Sequence, residues 1–251
     1  QSYAELETRN RELAEALDRV VFLEHVKRGL DRFVPETVRR AIEANPEDPG
    51  LVKKAKDVTV LFLDIEGYSR LSEELSRPAL NALVERYFSL FLTTIRGEGG
   101  DINETAGDGL MIIFQSGRPE EHACAGVRAA LAIREQTNVA NRGAGEGHPP
   151  IVVNIGISSG ECDVGATRLQ GPAGERWTFT ASGPVTNLAA RLGGHAGGGQ
   201  ILLAAETAIR VRDRFSLGSL GPLRLKNLSS STEVWEVRDR HPLVADAMSG
   251  R

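Results

Sequence analysis

The order of the apolar segments in the middle of the chain limits the possible folds more than any other feature of the sequence. Two runs, VTVLFLDI (58–65) and IVVNIGISSG (151–160), are rich in β-branched residues and typical of buried strands. Three elements are predicted between them: a helix over 80–95, a hairpin formed by DINET (101–105) and LMIIFQ (110–115), and a helix over 119–137. Strand, helix, hairpin, helix and strand in this order predict an α/β (α+β) fold with a ferredoxin-like βαββαβ palm.

Further secondary structure is predicted after this palm. It comprises a hairpin around RWTFTA (176–181), a helix from Pro184 to Leu192, and strands near QILLA and TEVWEV. We therefore expect a main domain over 51–240, in which extra C-terminal strands and helices extend the palm, and a C-terminal tail over 241–251.

The first 50 residues have a different pattern. A heptad seam runs along this segment, in which two sets of residues each repeat every seven positions. One set is Leu6, Leu13 and Val20, and the other is Tyr3, Asn10 and Leu17. This spacing predicts a short coiled coil, with one amphipathic helix packed on its own domain as the alternative. A short helix initiated by Pro35 follows, and NPEDPG marks a linker, so 1–50 is predicted to form a separate helical segment.

Charge and cysteine content narrow the class of protein. A net charge of −4 gives no indication of nucleic-acid binding. Two cysteines without a CxxC pair disfavour a disulfide scaffold and fit a reducing compartment, so a cytoplasmic location is expected. The chain begins with Gln and has no apolar run of membrane-spanning length. We interpret it as a fragment whose upstream sensor is missing, which leaves open a membrane attachment of the full-length protein.

Two carboxylates are predicted to meet at one edge of the sheet. Asp64 ends the first strand and Asp108 lies in the hairpin turn, and these two elements are neighbours at the centre of a βαββαβ sheet. A pair of carboxylates with few other protein ligands suits Mg²⁺, which keeps waters and binds substrate phosphates. The alternative is structural: Asp64 caps the following turn, and Asp108 is an ordinary turn residue.

Four segments resemble the class III nucleotide cyclases, in that family's order and over roughly 57–238. They are FLDIEGYSRLSE (62–73), NETAGDGLMIIF (103–114), TASGPVTNLAARL (180–192) and LRLKNLSSSTEVWEV (223–237). The resemblance implies conversion of a nucleoside triphosphate to its 3′,5′-cyclic monophosphate and pyrophosphate, with two Mg²⁺ or Mn²⁺ ions per site. It also implies a symmetric homodimer with sites at the interface. The stretch with RFVPETV resembles the helical transducer that often precedes this domain in bacteria.

The resemblance assigns roles to individual residues. Asp64 and Asp108 match the two metal-binding aspartates, and Ile65 matches the position whose carbonyl assists one metal. Asn187 and Arg191 match the pair that positions the ribose and stabilises the transition state, and four-residue spacing puts them on one helix face. Lys226 matches the lysine that binds the triphosphate.

The two positions that match the family's base-reading residues hold Glu104 and Thr180. The resemblance implies that Glu104 is the residue of guanylate cyclases, whereas Thr180 occurs with ATP. A carboxylate accepts from the adjacent N1–H and N2–H₂ donors of guanine, whereas adenine presents an acceptor at N1. GTP is therefore favoured over ATP, and a relaxed pocket or a pyrimidine substrate stays open.

Three other functions are compatible with parts of this pattern. A diguanylate cyclase shares the palm, but GGD (99–101) precedes a strand instead of lying at the hairpin tip, and no EF follows it. A regulatory, catalytically silent cyclase-like domain and a ligand-free dimerisation module are the others. Intact Asp64, Asp108, Asn187 and Arg191 favour an enzyme over both.

Overall fold

The structure, a computed structural model, describes residues 3–143, 149–172, 174–228 and 230–240, with the backbone alone for 104–106 and 239–240. The predicted tail at 241–251 lies outside the described residues. The chain divides into two compact units, Gln1–Gly50 and Leu51–Arg251. None of the described helices is both long and apolar enough to span a bilayer.

The first unit consists of two helices, α1 (Tyr3–Leu30) and α2 (Glu36–Ala44). Pro35 is the N-cap of α2, in agreement with the predicted Pro-initiated helix. The seam side chains Leu6, Leu13 and Leu17 of α1 are 53%, 68% and 62% exposed. The predicted coiled coil would cover these side chains with a second chain, and it stays a prediction.

The second unit contains thirteen described elements. In chain order they are β1 (Lys54–Ile65), α3 (Tyr68–Glu74), α4 (Arg77–Gly97), β2 (Gly100–Ala106), β3 (Gly109–Phe114), α5 (Pro119–Arg142), β4 (Val153–Gly171), β5 (Gly174–Ser182), α6 (Pro184–His195), β6 (Ile201–Ala204), α7 (Ala205–Val211), β7 (Phe215–Leu223) and β8 (Thr232–Arg240).

One mixed sheet organises this unit, with strand order β2-β3-β1-β4-β6-β8-β7 and β5 paired to β4 outside that path. The first four positions are those of the predicted ferredoxin-like palm, which is confirmed, with β1 between β3 and β4. The C-terminal strands extend the same sheet, as predicted. Because β1 is central, its ends are held by a strand on each side.

Strand β1 is buried on both faces, which explains its continuous apolar sequence. Leu61 and Leu63 pack in the core on one face, together with Phe91 of α4. Val58 and Val60 pack on the other face in a smaller cluster that contains Ala189 of α6 and Ala181 of β5. The alternation of strand side chains therefore separates an α4–α5 face from an α6–β5 face.

Strand β4 is longer than predicted and continues to Gly171 instead of ending at 160. Its second half pairs with β5 from Asp163↔Ser182 to Gly171↔Gly174, and most of these residues are exposed. Backbone pairing extends this arm, and the apolar pattern on which the prediction relied stops before it. Helices α3 and α7 and strand β7 were likewise not predicted.

Candidate active site

The hairpin turn brings Asp108 beside Asp64. Asp64, the penultimate residue of β1, pairs with Gly109 of β3, which directly follows Asp108. Gly107 has φ 60°, a left-handed conformation that favours glycine, so the AGDG turn is a backbone requirement. The two carboxyl groups share a hydrogen bond and both residues are partly buried, so the predicted convergence of the two acids is observed.

This environment changes the acidity of Asp64. Burial, followed by the hydrogen bond and the charge of Asp108, raises the pKa of Asp64 to about 6, while a hydrogen bond from the Ile65 backbone acts in the opposite direction. Two carboxyl groups held together in this way lack a compensating cation within the described residues. Helix α3 begins after Gly67 and has no side-chain cap, so Asp64 is not the cap of this helix.

The pair has the character of a divalent-cation site that borrows ligands from a substrate. No cluster of three or more His, Cys, Asp or Glu residues occurs in the part of the chain that the structure describes. Two carboxylates at the end of a central strand, next to the backbone of Ile65, form an oxygen donor set that suits Mg²⁺ or Mn²⁺. The residues present therefore fit the metal ions that the sequence predicts.

Helix α6 carries the predicted ribose and phosphate residues. Pro184 occupies the first turn, and Asn187 and Arg191 lie four residues apart with exposed side chains. The helix packs directly on the sheet, since a Cβ atom at Gly156 of β4 would overlap the backbone of Gly193. Glycine at these contact points lets the α6 backbone approach the sheet closely, and this distance sets how far Arg191 lies from the sheet.

The two predicted base-reading positions lie on different strands, and the side chain of a neighbouring residue connects these strands. Thr180 of β5 is partly buried, and its hydroxyl donates to the Ala181 carbonyl at 3.3 Å. The side chain of Glu104 lies outside the described residues, but its backbone pairs with Met111 in β3. The Asn103 amide donates to the Phe179 carbonyl at 3.3 Å, so residues adjacent to Glu104 and Thr180 are in contact.

The remaining predicted residue, Lys226, follows β7 and is exposed, next to Asn227 with φ 64°. Among the described residues, no hydrogen bond or ion pair joins the Asp64–Asp108 pair to Asn187, Arg191 or Lys226. One chain thus brings together the two carboxylates and, through Asn103, joins the strands of the two predicted base-reading positions, but leaves Asn187 and Arg191 facing solvent.

Sequence reasoning missed a polar connection behind the carboxylate pair. The Glu66 carboxylate accepts hydrogen bonds from Asn154 Nδ2 at 3.0 Å and from the Gly198 N–H at 2.6 Å, and these bonds lower the pKa of Glu66. Asn154 Oδ1 also accepts from the Gly199 N–H at 2.9 Å. The end of β1 is thereby tied to the loop that follows α6. The GGG run at 197–199 was the only sequence signal for it.

Comparison with known families gives one match that covers most of the chain. The model of the adenylate and guanylate cyclase catalytic domain matches residues 51–237, which include every predicted site residue. Adenylate cyclase 1 of Rhizobium meliloti is 29% identical over 213 residues, which cover 82% of this chain and 31% of that protein. An adenylate cyclase of Mycobacterium tuberculosis is 24% identical over 198 residues, covering 78% of this chain and 43% of the relative. The chain thus spans less than half the length of these relatives.

Solved structures agree with this match. The adenylyl cyclase CyaB from P. aeruginosa has a TM-score of 0.69 and 28% identity, with 76% of this chain and 97% of that chain covered. A bacterial light-regulated adenylyl cyclase has a TM-score of 0.75 at 23% identity, covering 90% and 64% of the respective chains. The guanylate cyclase domain of RhGC from Catenaria anguillulae, in complex with GTP, has a TM-score of 0.65 at 23% identity, covering 75% and 100%. The last two show the fold alone. With the family model matching well over half of its length, the chain belongs to the adenylate and guanylate cyclase catalytic domain family, the class III nucleotide cyclases.

Proposed function

We propose that this chain converts a purine nucleoside triphosphate, GTP in preference to ATP, to the 3′,5′-cyclic monophosphate and pyrophosphate. The observation that carries the proposal is the Asp64–Asp108 pair, partly buried and hydrogen-bonded at the end of the central strand. Carboxyl groups whose acidity is perturbed by burial and by a like charge are typical of functional sites.

Asp64, Asp108 and the Ile65 carbonyl would hold the Mg²⁺ or Mn²⁺ ions, two per site. When bound, the ions supply Lewis-acid stabilisation of the charge that develops on the phosphate oxygens. The protein contributes an anionic donor pair: the β1–β3 register holds Asp64 opposite Gly109, next to Asp108 in the preceding turn.

Asn187 and Arg191 supply the second half of the site. The Asn187 amide orients the ribose, and the Arg191 guanidinium donates to phosphate oxygens in the transition state. Lys226 binds the triphosphate as a point charge. Both α6 side chains are exposed in the single chain, so they are free to reach a substrate held by a second copy.

The proposed active form is therefore a symmetric homodimer in which each site combines the carboxylates of one protomer with α6 of its partner. A two-fold dimer makes two equivalent sites of this kind from one chain type. The exposed seam of α1 would pair with the same seam of the second copy and align the two catalytic units. We assign 1–50 to this helical segment and 51–240 to the catalytic domain.

The base preference rests on Glu104 and Thr180. The Glu104 carboxylate would accept from guanine N1–H and N2–H₂, and the Thr180 hydroxyl, which now donates to its neighbour Ala181, would donate to O6. Adenylate cyclase activity is the second candidate. It is favoured by the relative from Rhizobium meliloti, which bears that name.

Product formation by the purified chain tests the proposal, with GTP, ATP, CTP and UTP offered separately in Mg²⁺ or Mn²⁺. We expect cyclic GMP as the main product. Cyclic AMP as the main product would contradict the role of Glu104 and leave the cyclase assignment intact. A stable dimer that forms no product from any of them would replace the enzyme with the catalytically silent regulatory domain.

A further inference from the structure

The strand that carries Glu104 contains a β-bulge one residue earlier. Strand β2 pairs with β3 as Gly100↔Phe114 to Ile102↔Ile112, and the register then shifts so that Glu104 pairs with Met111. Asn103 is the extra residue. Bulges bend a strand and re-aim the residues that follow them, and they are frequent next to active sites.

The bulge decides which residue of β3 stands opposite Glu104. Without the extra residue, the earlier register would pair Glu104 with Leu110, which packs in the α4–α5 core. With it, the partner is Met111, which packs in the cluster of Ala181 and Ala189 on the α6–β5 face. Asn103 therefore sets the register of position 104 relative to the face of the sheet on which α6 packs.

The Asn103 side chain also joins two strands that are not neighbours in the sheet. Its Nδ2 donates to the Phe179 carbonyl of β5 at 3.3 Å, whereas β2 is an edge strand and β5 pairs with β4. Asn103 precedes Glu104 and Phe179 precedes Thr180. A single hydrogen bond thus spans the gap between the two base-reading positions.

The position of the Asn103 amide lowers the stability of the fold. Its Oδ1 is buried and has no hydrogen-bond partner among the residues that the structure describes. A buried acceptor without a partner costs about 1–3 kcal/mol, and a leucine of similar size would fill the space without that cost. An amide kept here is better explained by the one bond that it makes to β5 than by packing.

We propose that Asn103 is a positioning residue for base recognition, which fixes Glu104 relative to Thr180 and so sets the preference between purines. This inference rests on the proposed function, in which these two positions read the base. Asn103 acts through its neighbours and does not itself touch the substrate.

Two substitutions separate the hydrogen bond from the shape of the side chain. Asn103→Asp keeps the shape but removes the donor, and Asn103→Leu removes all polar atoms. Gln136→Leu is the matched control, because Gln136 also has a buried oxygen without a partner among the described residues and donates through Nε2 to Thr94 Oγ1 at 2.7 Å. That bond joins α5 to α4 and touches neither base-reading strand.

The readouts are the GTP:ATP ratio of kcat/KM and the ratio of dissociation constants for non-hydrolysable GTP and ATP analogues with Mn²⁺. We expect both Asn103 variants to change these ratios at least about fivefold, since small misplacements of a binding group have large effects, while Gln136→Leu leaves them unchanged. Thermal unfolding verifies that each variant is folded.

The outcomes separate this inference from the proposed function. The inference is overturned if both Asn103 variants keep the wild-type preference between GTP and ATP, or if the wild type has no such preference. In either case, cyclic nucleotide formation by the wild type still supports the proposed cyclase. If the wild type binds one analogue more tightly than the other but forms no product, the proposed cyclase is refuted. The ratios of dissociation constants measured for the variants then still decide the role of Asn103. A wild type that binds neither analogue overturns both.

Discussion

The two ends of strand β1 each carry an aspartate, and the two are treated in opposite ways. Near the start of the strand, the two carboxylate oxygens of Asp57 accept hydrogen bonds from the terminal nitrogens of Arg210 at 2.6 and 2.8 Å. These hydrogen bonds lower the pKa of Asp57. Near the other end, burial and Asp108 raise the pKa of Asp64 to about 6. The chain thus supplies a cation to the carboxylate of Asp57, whereas it places a second carboxyl group beside that of Asp64.

The Asp57 end continues into a buried polar network. Thr59 Oγ1 lies 2.8 Å from His122 Nδ1 and 2.7 Å from Ser159 Oγ, and the Thr207 hydroxyl donates to Ser159 Oγ at 3.0 Å. His122 Nε2 lies 3.4 Å from an oxygen of Asp57. This network joins α5, α7, β1 and β4, and every side chain in it has a partner.

On the proposed function, this contrast distinguishes a structural from a functional carboxylate. A carboxylate that stabilises the fold is paired within the chain, as Asp57 is. A carboxylate that awaits a ligand is left with another carboxylate, and the cation that balances the pair comes from outside. Substitutions at the two ends should accordingly separate activity from stability.

The largest effect is expected from Asp64→Asn. Removing one of the two proposed carboxylate ligands should reduce turnover by about a thousandfold or more, because several kcal/mol of charge stabilisation are lost. The free energy of unfolding should stay unchanged or rise, since the like-charge contact with Asp108 disappears. Cyclic nucleotide formation and urea unfolding measure the two quantities. Full turnover in this variant would contradict the account.

Asp57→Asn should show the reverse. It leaves Arg210, whose side chain is 10% exposed, without its bidentate partner. The expected loss of unfolding free energy is about 2 kcal/mol, reduced from the value for a buried pair because Asp57 is 37% exposed. Turnover per folded molecule should match the wild type. A specific loss of turnover in a stable Asp57→Asn protein would remove the distinction between the two ends.

Thr59→Val tests the buried network with a substitution of the same shape. It removes the hydroxyl that contacts both His122 and Ser159, and the unfolding free energy should fall by about 1–3 kcal/mol. Thr178→Val is the control, because Thr178 is exposed on the β4–β5 arm. Equal unfolding midpoints for the two variants would show that the network contributes nothing to stability.

The smallest effect concerns pH. Burial lowers the pKa of His122 below the usual 6.5, an effect reinforced by Arg210 and opposed by Asp57 and Glu120. The unfolded chain then binds the proton more readily, so stability is complete above pH 6.5 and falls as the pH drops toward the folded-state pKa. Asp64, whose pKa is raised to about 6, contributes the opposite slope in this range, so the urea midpoints of the wild type and of His122→Gln are compared between pH 7.5 and about 5. The wild-type midpoint should fall relative to that of the variant as the pH drops, and parallel curves would exclude His122 as the source.

Sequence periodicity predicted the palm because its strands and helices are buried, and burial leaves a pattern of apolar residues. The hairpin, α5, α6 and the meeting of Asp64 with Asp108 follow from that pattern and from the AGDG turn. The β4–β5 arm and β7 are largely exposed and have weaker patterns, so their extents depend on backbone pairing that periodicity does not indicate.

The polar networks could not have been predicted in the same way. Thr59, His122, Ser159 and Thr207 are far apart in sequence, and only the assembled sheet brings them together. Asn103 gave no signal either, because a bulge depends on the register of two strands. Motif resemblance identified the candidate catalytic residues, whereas the residues that position them required three-dimensional contacts.

Mixing two inactive variants tests most directly whether the Asp64 end is half of a site that a second copy completes. Asp64→Asn and Arg191→Ala should each be nearly inactive alone, the latter by about 10²–10³-fold. Their mixed dimer contains one site with both wild-type halves, so an equimolar, fully exchanged mixture should recover about a quarter of wild-type activity. Mixed dimers that form and stay inactive would contradict the shared site.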